Sequence, residues 1–424
     1  NGEGTTSNSY TFSGDITDTG ATGGLKLLKV GTGEQVLTGA VSLVSDADSG
    51  VTIGEGTLTL KSSANNQQFE YFTGTGNLKL DNTSNASHSV VIGLANTASK
   101  QTLSGNVELT GSNTSNTLNI GGGEVAGFDK HQEISGVISG SEKLIKTGSG
   151  KLTLSGSNTL SGGITIADGG GTKDGGVLVA AHNNALGASG TTIIEHGKLA
   201  IAAGTTVTTA IQGQATNDNT NMKSVIGGGV GNSAGVIDNG GGSQIDIGSG
   251  NGQIDVLSPG IAHASSMSNG TSDQAVVASN HNNSGSDDLT LSIGTIQIDK
   301  IGLKNGGVFD WEITDFAGNN ADGSDWDVLK FDTLEFSESD SFDINIYSLA
   351  SNGSSGGASG NLFTQKTNAS GFKFMEHSGT GSGWNNASGG SRTVSGFNIN
   401  SNDWAYHNDF YYGDWSVYYN DSDK

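Results

Sequence analysis

A chain of 424 residues with 70 Gly, one Pro and no Cys, 33% hydrophobic and carrying a net charge of −23, is long enough to bury a large core but far richer in glycine than ordinary globular proteins. With 19 basic residues, Arg392 the single arginine among them, it lacks the cationic surface that nucleic acid or anionic lipid requires. The missing cysteines remove disulfides, CxxC zinc sites and thiol chemistry together, and no apolar run approaches the roughly 18 residues of a membrane-spanning helix.

The chain opens on Asn1-Gly2 rather than Met, which reads as a mature chain whose targeting signal has been removed. SYTFSGDI, Ser9 to Ile16, alternates apolar and polar residues. It predicts a terminal strand, with Tyr10, Phe12 and Ile16 as candidate assembly residues. LLKVGTGEQVLTG from Leu27 to Gly39 then returns as LIKTGSGKLTLSG from Leu144 to Gly156, at a constant offset that sets Lys29 over Lys146 and Gly33 over Gly150. Shorter copies of the same GxGxLxL pattern are GEGTLTL at 54–60, GTGNLKL at 74–80 and GSGKLTL at 148–154.

In each copy the glycines suit a tight turn, and leucines at alternate positions point one way. A spacing of about 20 residues is that of one solenoid coil. The expectation is therefore an all-β chain, a parallel β-helix over residues 1–258 in which Leu58, Leu60, Leu78, Leu80, Leu152 and Leu154 face one shared interior. Coils of about 20 to 25 residues give on the order of 11 rungs over that length.

Period-2 alternation continues in ITIADGG, GVLVAA, TTIIEHGKLAIAAGTTV and SQIDIGSGNGQIDVL, broken by Gly, Asn or Asp, with a short turn predicted at HNNALG, 182–187. ISGVISGSEKLIKTGSGKLTLSGSNTLSGGITI, from Ile134 to Ile166, resembles the autotransporter-associated β-strand repeat of bacterial passenger regions, and GVLVAAHNNALGASGTTIIEHGKLAI, from Gly176 to Ile201, resembles the segment that commonly follows it. GGVFDWEITDFAGNNADGSDWDVLKF, from Gly306 to Phe331, is similar to the closing region of large exported repeat proteins. The resemblance implies a right-handed parallel β-helix on the cell exterior, and it does not imply an enzymatic activity. The chain departs from true autotransporters after Lys304, where 120 residues remain, too few for this region and a membrane barrel together.

Residues 259–288 are polar and without clear period, a loop or linker. Residues 289–424 read as an aromatic-rich β region: from 305 onward lie all five Trp, six of eight Tyr and ten of fourteen Phe. WSVYY near the end offers Trp415, Val417 and Tyr419 as a second candidate assembly strand.

Sites for chemistry are sparse. The eight His show no HxxxH or HExxH spacing. The paired carboxylates Asp46/Asp48 and Asp287/Asp288 lie in Gly/Ser surroundings, where Asp is ordinarily a turn residue. Asp322, Asp325 and Asp327 in ADGSDWD have the oxygen chemistry of a calcium site but not EF-hand spacing, with a solvated turn as the alternative.

No base, nucleophile or metal cluster with usable spacing appears, so no catalysis is expected. The sequence instead predicts an extracellular, cell-surface structural protein, a subunit of a fibre, sheath or surface layer that self-associates end to end. The alternative is an adhesin that binds glycan through Trp384, Trp404, Tyr411 and Tyr412, because sugar faces stack on aromatic rings.

Overall fold

The computed structural model describes residues 8–18, 24–43, 49–61, 66–82, 89–92, 100–111, 115–120, 131–148, 150–167, 176–214, 224–229, 233–239, 242–248, 250, 252–260, 293–315, 325–348, 372–378, 383–384, 392–400 and 416–419. Among the described residues every regular element is a strand. The fold is a parallel β-helix, and the chain divides into two compact units, Asn1–Ile193 and Ile194–Lys424.

In the first unit the chain visits three sheets in turn. Ser9–Phe12, Ile16–Thr17 and Leu27–Lys29 each begin one sheet, and Glu34–Leu37, Val41–Leu43 and Val51–Ile53 lie beside them one coil later. The ladder then runs in register. Leu58 pairs with Leu78 and Leu78 with Val107, while Leu60 pairs with Leu80 and Leu80 with Leu109.

On the third sheet Leu152 stands beside Leu178, and Leu154 beside Ile134 and Ala180. All six leucines singled out by the sequence pattern are at most 2% exposed. Burying each contributes roughly 1.5–3 kcal/mol, so the leucine columns add cohesion between coils to that of the main-chain ladders. Coil length varies, from the 20 residues between Leu58 and Leu78 to the 31 between Val107 and Ile138.

The corners explain the glycine content. A Cβ on Gly105 would land on the carbonyl oxygen of Gly76, one on Gly136 on that of Gly105, and one on Gly156 on that of Gly136. Four successive coils thus bring their main chains together at one column, and the recurrent SG of LSG and ISG marks it. At HNNALG the predicted turn is present, closed by Ala185 N–H to His182 O at 2.9 Å and Gly187 N–H to Asn184 O at 3.0 Å.

The long repeat does not return to the same sheet. In its first copy the strands are Leu27–Lys29 on the third sheet and Glu34–Leu37 on the first; in its second they are Lys143–Thr147 on the second sheet and Lys151–Leu154 on the third. What recurs is a strand, a glycine corner and a strand, whichever corner of the coil that is.

The second unit is described by itself. One sheet runs Gly197–Ile201, Ser224–Gly228, Val256–Leu257, Val308–Ile313, Phe342–Ser348 and Phe397–Asn400; the other runs Thr206–Val207, Gly235–Ile237, Thr295–Leu303, Val328–Phe336 and Met375–His377, with Ile245–Ile247 also beside Thr295–Leu303 and Gly383–Trp384 beside Val328–Phe336. Val256 pairs in parallel with Val308, so residues on either side of the polar 259–288 stretch share one sheet. That stretch lies outside the described residues apart from Pro259 and Gly260.

Aromatic side chains fill this core where the first unit uses leucine. The Trp311 ring lies 5.4 Å from Phe372 and 5.2 Å from Phe374, and Trp326 meets Phe372 edge-on at 4.9 Å. Both indole N–H groups are satisfied by main chain, Trp311 on Asp327 O at 3.1 Å and Trp326 on Lys373 O at 3.2 Å.

Candidate functional site

Three places concentrate polar chemistry or exposed apolar surface. The first is the glycine corner of the long repeat. Lys29, the last residue of its strand, and Lys146, the last but one of its own, have buried side chains, and each curls back on the corner it enters. Lys29 Nζ donates to Val30 O at 3.1 Å and Gly31 O at 2.6 Å, and Lys146 Nζ to Thr147 O at 3.0 Å and Gly148 O at 2.6 Å.

Gly31 and Gly148 have φ of 76° and 79°, the left-handed conformation that aims their carbonyls at the ammonium. Lys29 also reaches Glu55 O in the next coil at 3.0 Å. Burial lowers its pKa, an effect that Glu55 partly offsets. The lysine is thus a built-in cap for carbonyls that the turn withdraws from the ladder. The alignment of Lys29 over Lys146 was visible in the sequence; the role was not.

The second place is a buried charge cluster in the second unit. Phe309-Asp310-Trp311-Glu312-Ile313 is buried on both faces, which sets two acids opposite the aromatic side. Lys198, fully buried, runs across Gly227, whose missing Cβ would stand 2.8 Å from Lys198 Cε, and its Nζ is 3.4 Å from Ser258 Oγ. Asp310 Oδ1 accepts from Asn345 Nδ2 at 2.8 Å. Asp327 accepts from Gly294 N–H at 2.9 Å and Glu312 N–H at 3.1 Å, one on each carboxylate oxygen.

Desolvation dominates every shift here. It lowers Lys198 to about 8 against the pull of Glu312, Asp327 and Asp310. It raises Asp310 to about 7, with Glu312 adding to the rise, and Asp327 well above the usual carboxyl range. The arrangement locks strands together and leaves no carboxylate of Asp327 open to a ligand. Nothing in the sequence signalled it, because Phe309 to Ile313 alternates apolar and polar residues like a half-solvated strand.

The third place is the first coil. The large hydrophobic side chains exposed among the described residues are Tyr10 at 54%, Phe12 at 46%, Leu25 at 43%, Leu28 at 61% and Val30 at 67%. Ser9–Phe12 is the terminal strand of its sheet, paired on one edge with Glu34–Leu37. Phe12 ends the apolar column of Leu37 and Leu60, and Tyr10 ends the column of Gln35 and Leu58. Ile16 is half-buried beside Val41.

The remaining sequence candidates fall as follows. Asp325 gives its main-chain carbonyl to Thr314 N–H at 2.8 Å, Asp327 is engaged as above, and Asp322 lies outside the described residues, as do Asp46, Asp48, Asp287 and Asp288. No group of three or more His, Cys, Asp or Glu suited to a metal ion occurs among the described residues. Trp404, Tyr411, Tyr412 and Trp415 lie outside the described residues, and Trp384 is placed by its backbone beside Leu334. Val417–Tyr419 pairs antiparallel with Arg392–Val394 of its own chain, so this candidate assembly strand already has a partner on one edge.

A stack of parallel coils with glycine corners and leucine columns is the architecture of solenoid passenger regions. Residues 144–172 match the passenger-associated-transport-repeat family. This segment holds one complete coil, from Leu144 to its register partner Ile164, together with the Lys146 corner. The match supports an exported, surface-directed polypeptide. No curated protein and no solved structure matches the chain.

Proposed function

We propose that this chain is a non-enzymatic structural protein of the cell exterior, a self-associating subunit of a fibre, sheath or surface layer. The observation that carries the reading is the first coil, a terminal strand whose outer edge has no described partner and whose inward side chains, Tyr10 and Phe12, are about half exposed. Sheet edges of this kind template pairing with another chain unless they are blunted by charge, proline or a cover. The passenger-type coil supports export, and a net charge of −23 suits a solvated exterior surface.

Light scattering over a concentration series, followed by negative-stain microscopy, tests it. Concentration-dependent filaments or sheets are expected, and a monomer at every concentration refutes it. The non-enzymatic part fails if a polysaccharide panel yields reducing ends or unsaturated sugars that are lost on changing Asp287 or Asp288.

The glycan-binding alternative rests on side chains outside the described residues. Trp311 and Trp326, both 3% exposed, are core. A glycan array decides for the alternative if binding disappears on changing Trp404 or Tyr411.

A further inference from the structure

We infer that one specific contact makes the assembly: the N-terminal strand Ser9–Phe12 of one copy adds in parallel to the terminal strand Phe397–Asn400 of a second copy. This rests on the self-association reading above and names its two surfaces.

Charge selects the strands. In a chain of net charge −23, contacts between charged faces of two copies are repulsive at ordinary salt. Of the three strands that begin sheets in the first unit, Ile16–Thr17 is flanked by Asp15 and Asp18, and Leu27–Lys29 is preceded by Lys26, a residue that blunts strand addition. Ser9–Phe12 carries no charged residue and is flanked in sequence by Asn8 and Ser13; in the ladder Glu34 stands beside Ser9, on the strand's inner edge. In the second unit the last strand of one sheet, Met375–His377, contains Glu376, whereas Phe397–Asn400, the last strand of the other, is neutral and flanked by Gly396 and Ser401. Neither neutral edge holds a proline or lysine, the usual devices against strand addition.

Pattern and direction agree with charge. Phe397 and Ile399 extend the apolar columns of Phe342 and Ile344, with Asn398 and Asn400 on the other face. Phe12 extends the apolar column of Leu37 and Leu60, and Tyr10 the column in which Gln35 precedes Leu58, with Thr11 between them on the other face. Setting Tyr10 on Phe397, Thr11 on Asn398 and Phe12 on Ile399 therefore continues an apolar interior on one face. On the other face it sets a hydroxyl against a carboxamide.

Phe397 already stacks on Phe336 at 4.3 Å, so the receiving ring is fixed in place. Both strands belong to parallel sheets, and the end of one parallel sheet meets the start of another in the same sense. Two copies of Ser9–Phe12 meeting each other would have to pair antiparallel. A contact between unlike surfaces leaves each copy with a free surface for the next, and so builds a filament, or a ring where the rotation between copies closes.

The absence of native cysteine makes the test direct. Thr11→Cys and Asn398→Cys chains are purified separately, checked by circular dichroism, and treated with a short bismaleimide alone and mixed. Asn400→Cys replaces the second variant if losing the Asn398 bonds to Ser341 and Asp343 disturbs the fold. A covalent dimer only in the mixture is the expected result, together with at least a tenfold rise in the concentration needed for assembly on Phe12→Glu in the otherwise native chain.

A dimer from Thr11→Cys alone overturns the inference in favour of a head-to-head contact. Filaments without any cross-link overturn it while leaving the structural reading standing. Failure to assemble at any concentration overturns both.

Discussion

Gln132 sits inside the first unit with no exposed surface, on the strand His131–Ile134, and its carboxamide replaces ladder hydrogen bonds that the backbone does not make. The strand Gln101–Leu103 joins Phe72–Gly74 only at Leu103 and Gly74. Where the ladder opens, Gln132 Nε2 donates to Phe72 O at 3.0 Å, Gln101 O at 3.1 Å and Glu133 O at 3.0 Å, and Oε1 accepts from Phe72 N–H at 3.2 Å. Gln132→Leu keeps the approximate volume and removes all four bonds.

A buried polar group deprived of its partner costs about 1–3 kcal/mol. The amide and carbonyl of Phe72 lose their carboxamide partner, and leucine recovers part of the loss through apolar burial, so the expected destabilisation is about 2–5 kcal/mol. Gln132→Glu should cost more, because a carboxylate would face three carbonyl oxygens. The assay is urea denaturation followed by far-ultraviolet circular dichroism, with hydrogen exchange read on peptides covering Phe72 and Leu103. A midpoint within about 0.5 kcal/mol of the native chain, with unchanged exchange at Phe72, refutes the bridging role.

Two further substitutions separate the reasons for lysine and glycine at the corners. Lys146→Met removes two charge-assisted bonds to Thr147 O and Gly148 O and should cost about 2–4 kcal/mol in denaturant titration, a loss that Lys146→Arg does not restore because the guanidinium does not fit the same turn. Gly136→Ala drives a methyl into the Gly105 carbonyl and should cost more than about 3 kcal/mol, whereas Gly31→Ala, with open space around it and a φ of 76°, should cost about 1 kcal/mol. If the two glycine variants melt together, the stacked-carbonyl account of the corners is wrong.

Much of the fold was legible because a parallel β-helix writes the same local rule repeatedly. Leucine at alternate positions and glycine before each strand were enough to place Leu58, Leu60, Leu78 and Leu80 on one face, since a one-residue slip would have turned all of them to solvent. The sheet on which a repeat lands was not legible. LLKVGTGEQVLTG and LIKTGSGKLTLSG encode the same corner, and the coil between them varies from 20 to 31 residues, so the copies fall out of phase with the three sheets.

The buried acids were harder still. Asp310 and Glu312 look like the solvent face of an alternating strand, and only the packing around Lys198 shows that this face is covered. The terminal strand Ser9–Phe12, by contrast, announced itself by alternation without charge.

Asp310 links that covered face to pH. Its carboxyl is raised from the usual 3.8 to about 7 chiefly by desolvation, with Asn345 opposing the rise, Glu312 adding to it and Lys198 opposing it. A carboxyl with a raised folded pKa holds its proton more tightly folded than unfolded. Its contribution is neutral below the unfolded value near 4, grows unfavourable between about 4 and 7, and is complete above 7.

Each unit is worth about 1.4 kcal/mol, so the full penalty approaches about 4 kcal/mol, and Asp327, raised in the same direction, adds to it. Lys198, lowered to about 8, stays charged in folded and unfolded chains between pH 4 and 7; at pH 8 it is partly deprotonated in the folded state of both the native chain and the Asp310→Asn variant, so the sign of the difference between them is kept. The carboxamide oxygen of D310N still accepts the Asn345 amide but carries no titrating proton. D310N should therefore match the native chain near pH 4 and exceed its stability by roughly 2–4 kcal/mol at pH 8. Urea midpoints at pH 4, 6 and 8 measure the difference; parallel pH profiles for the two chains would mean that Asp310 is ionised and solvated in the folded protein.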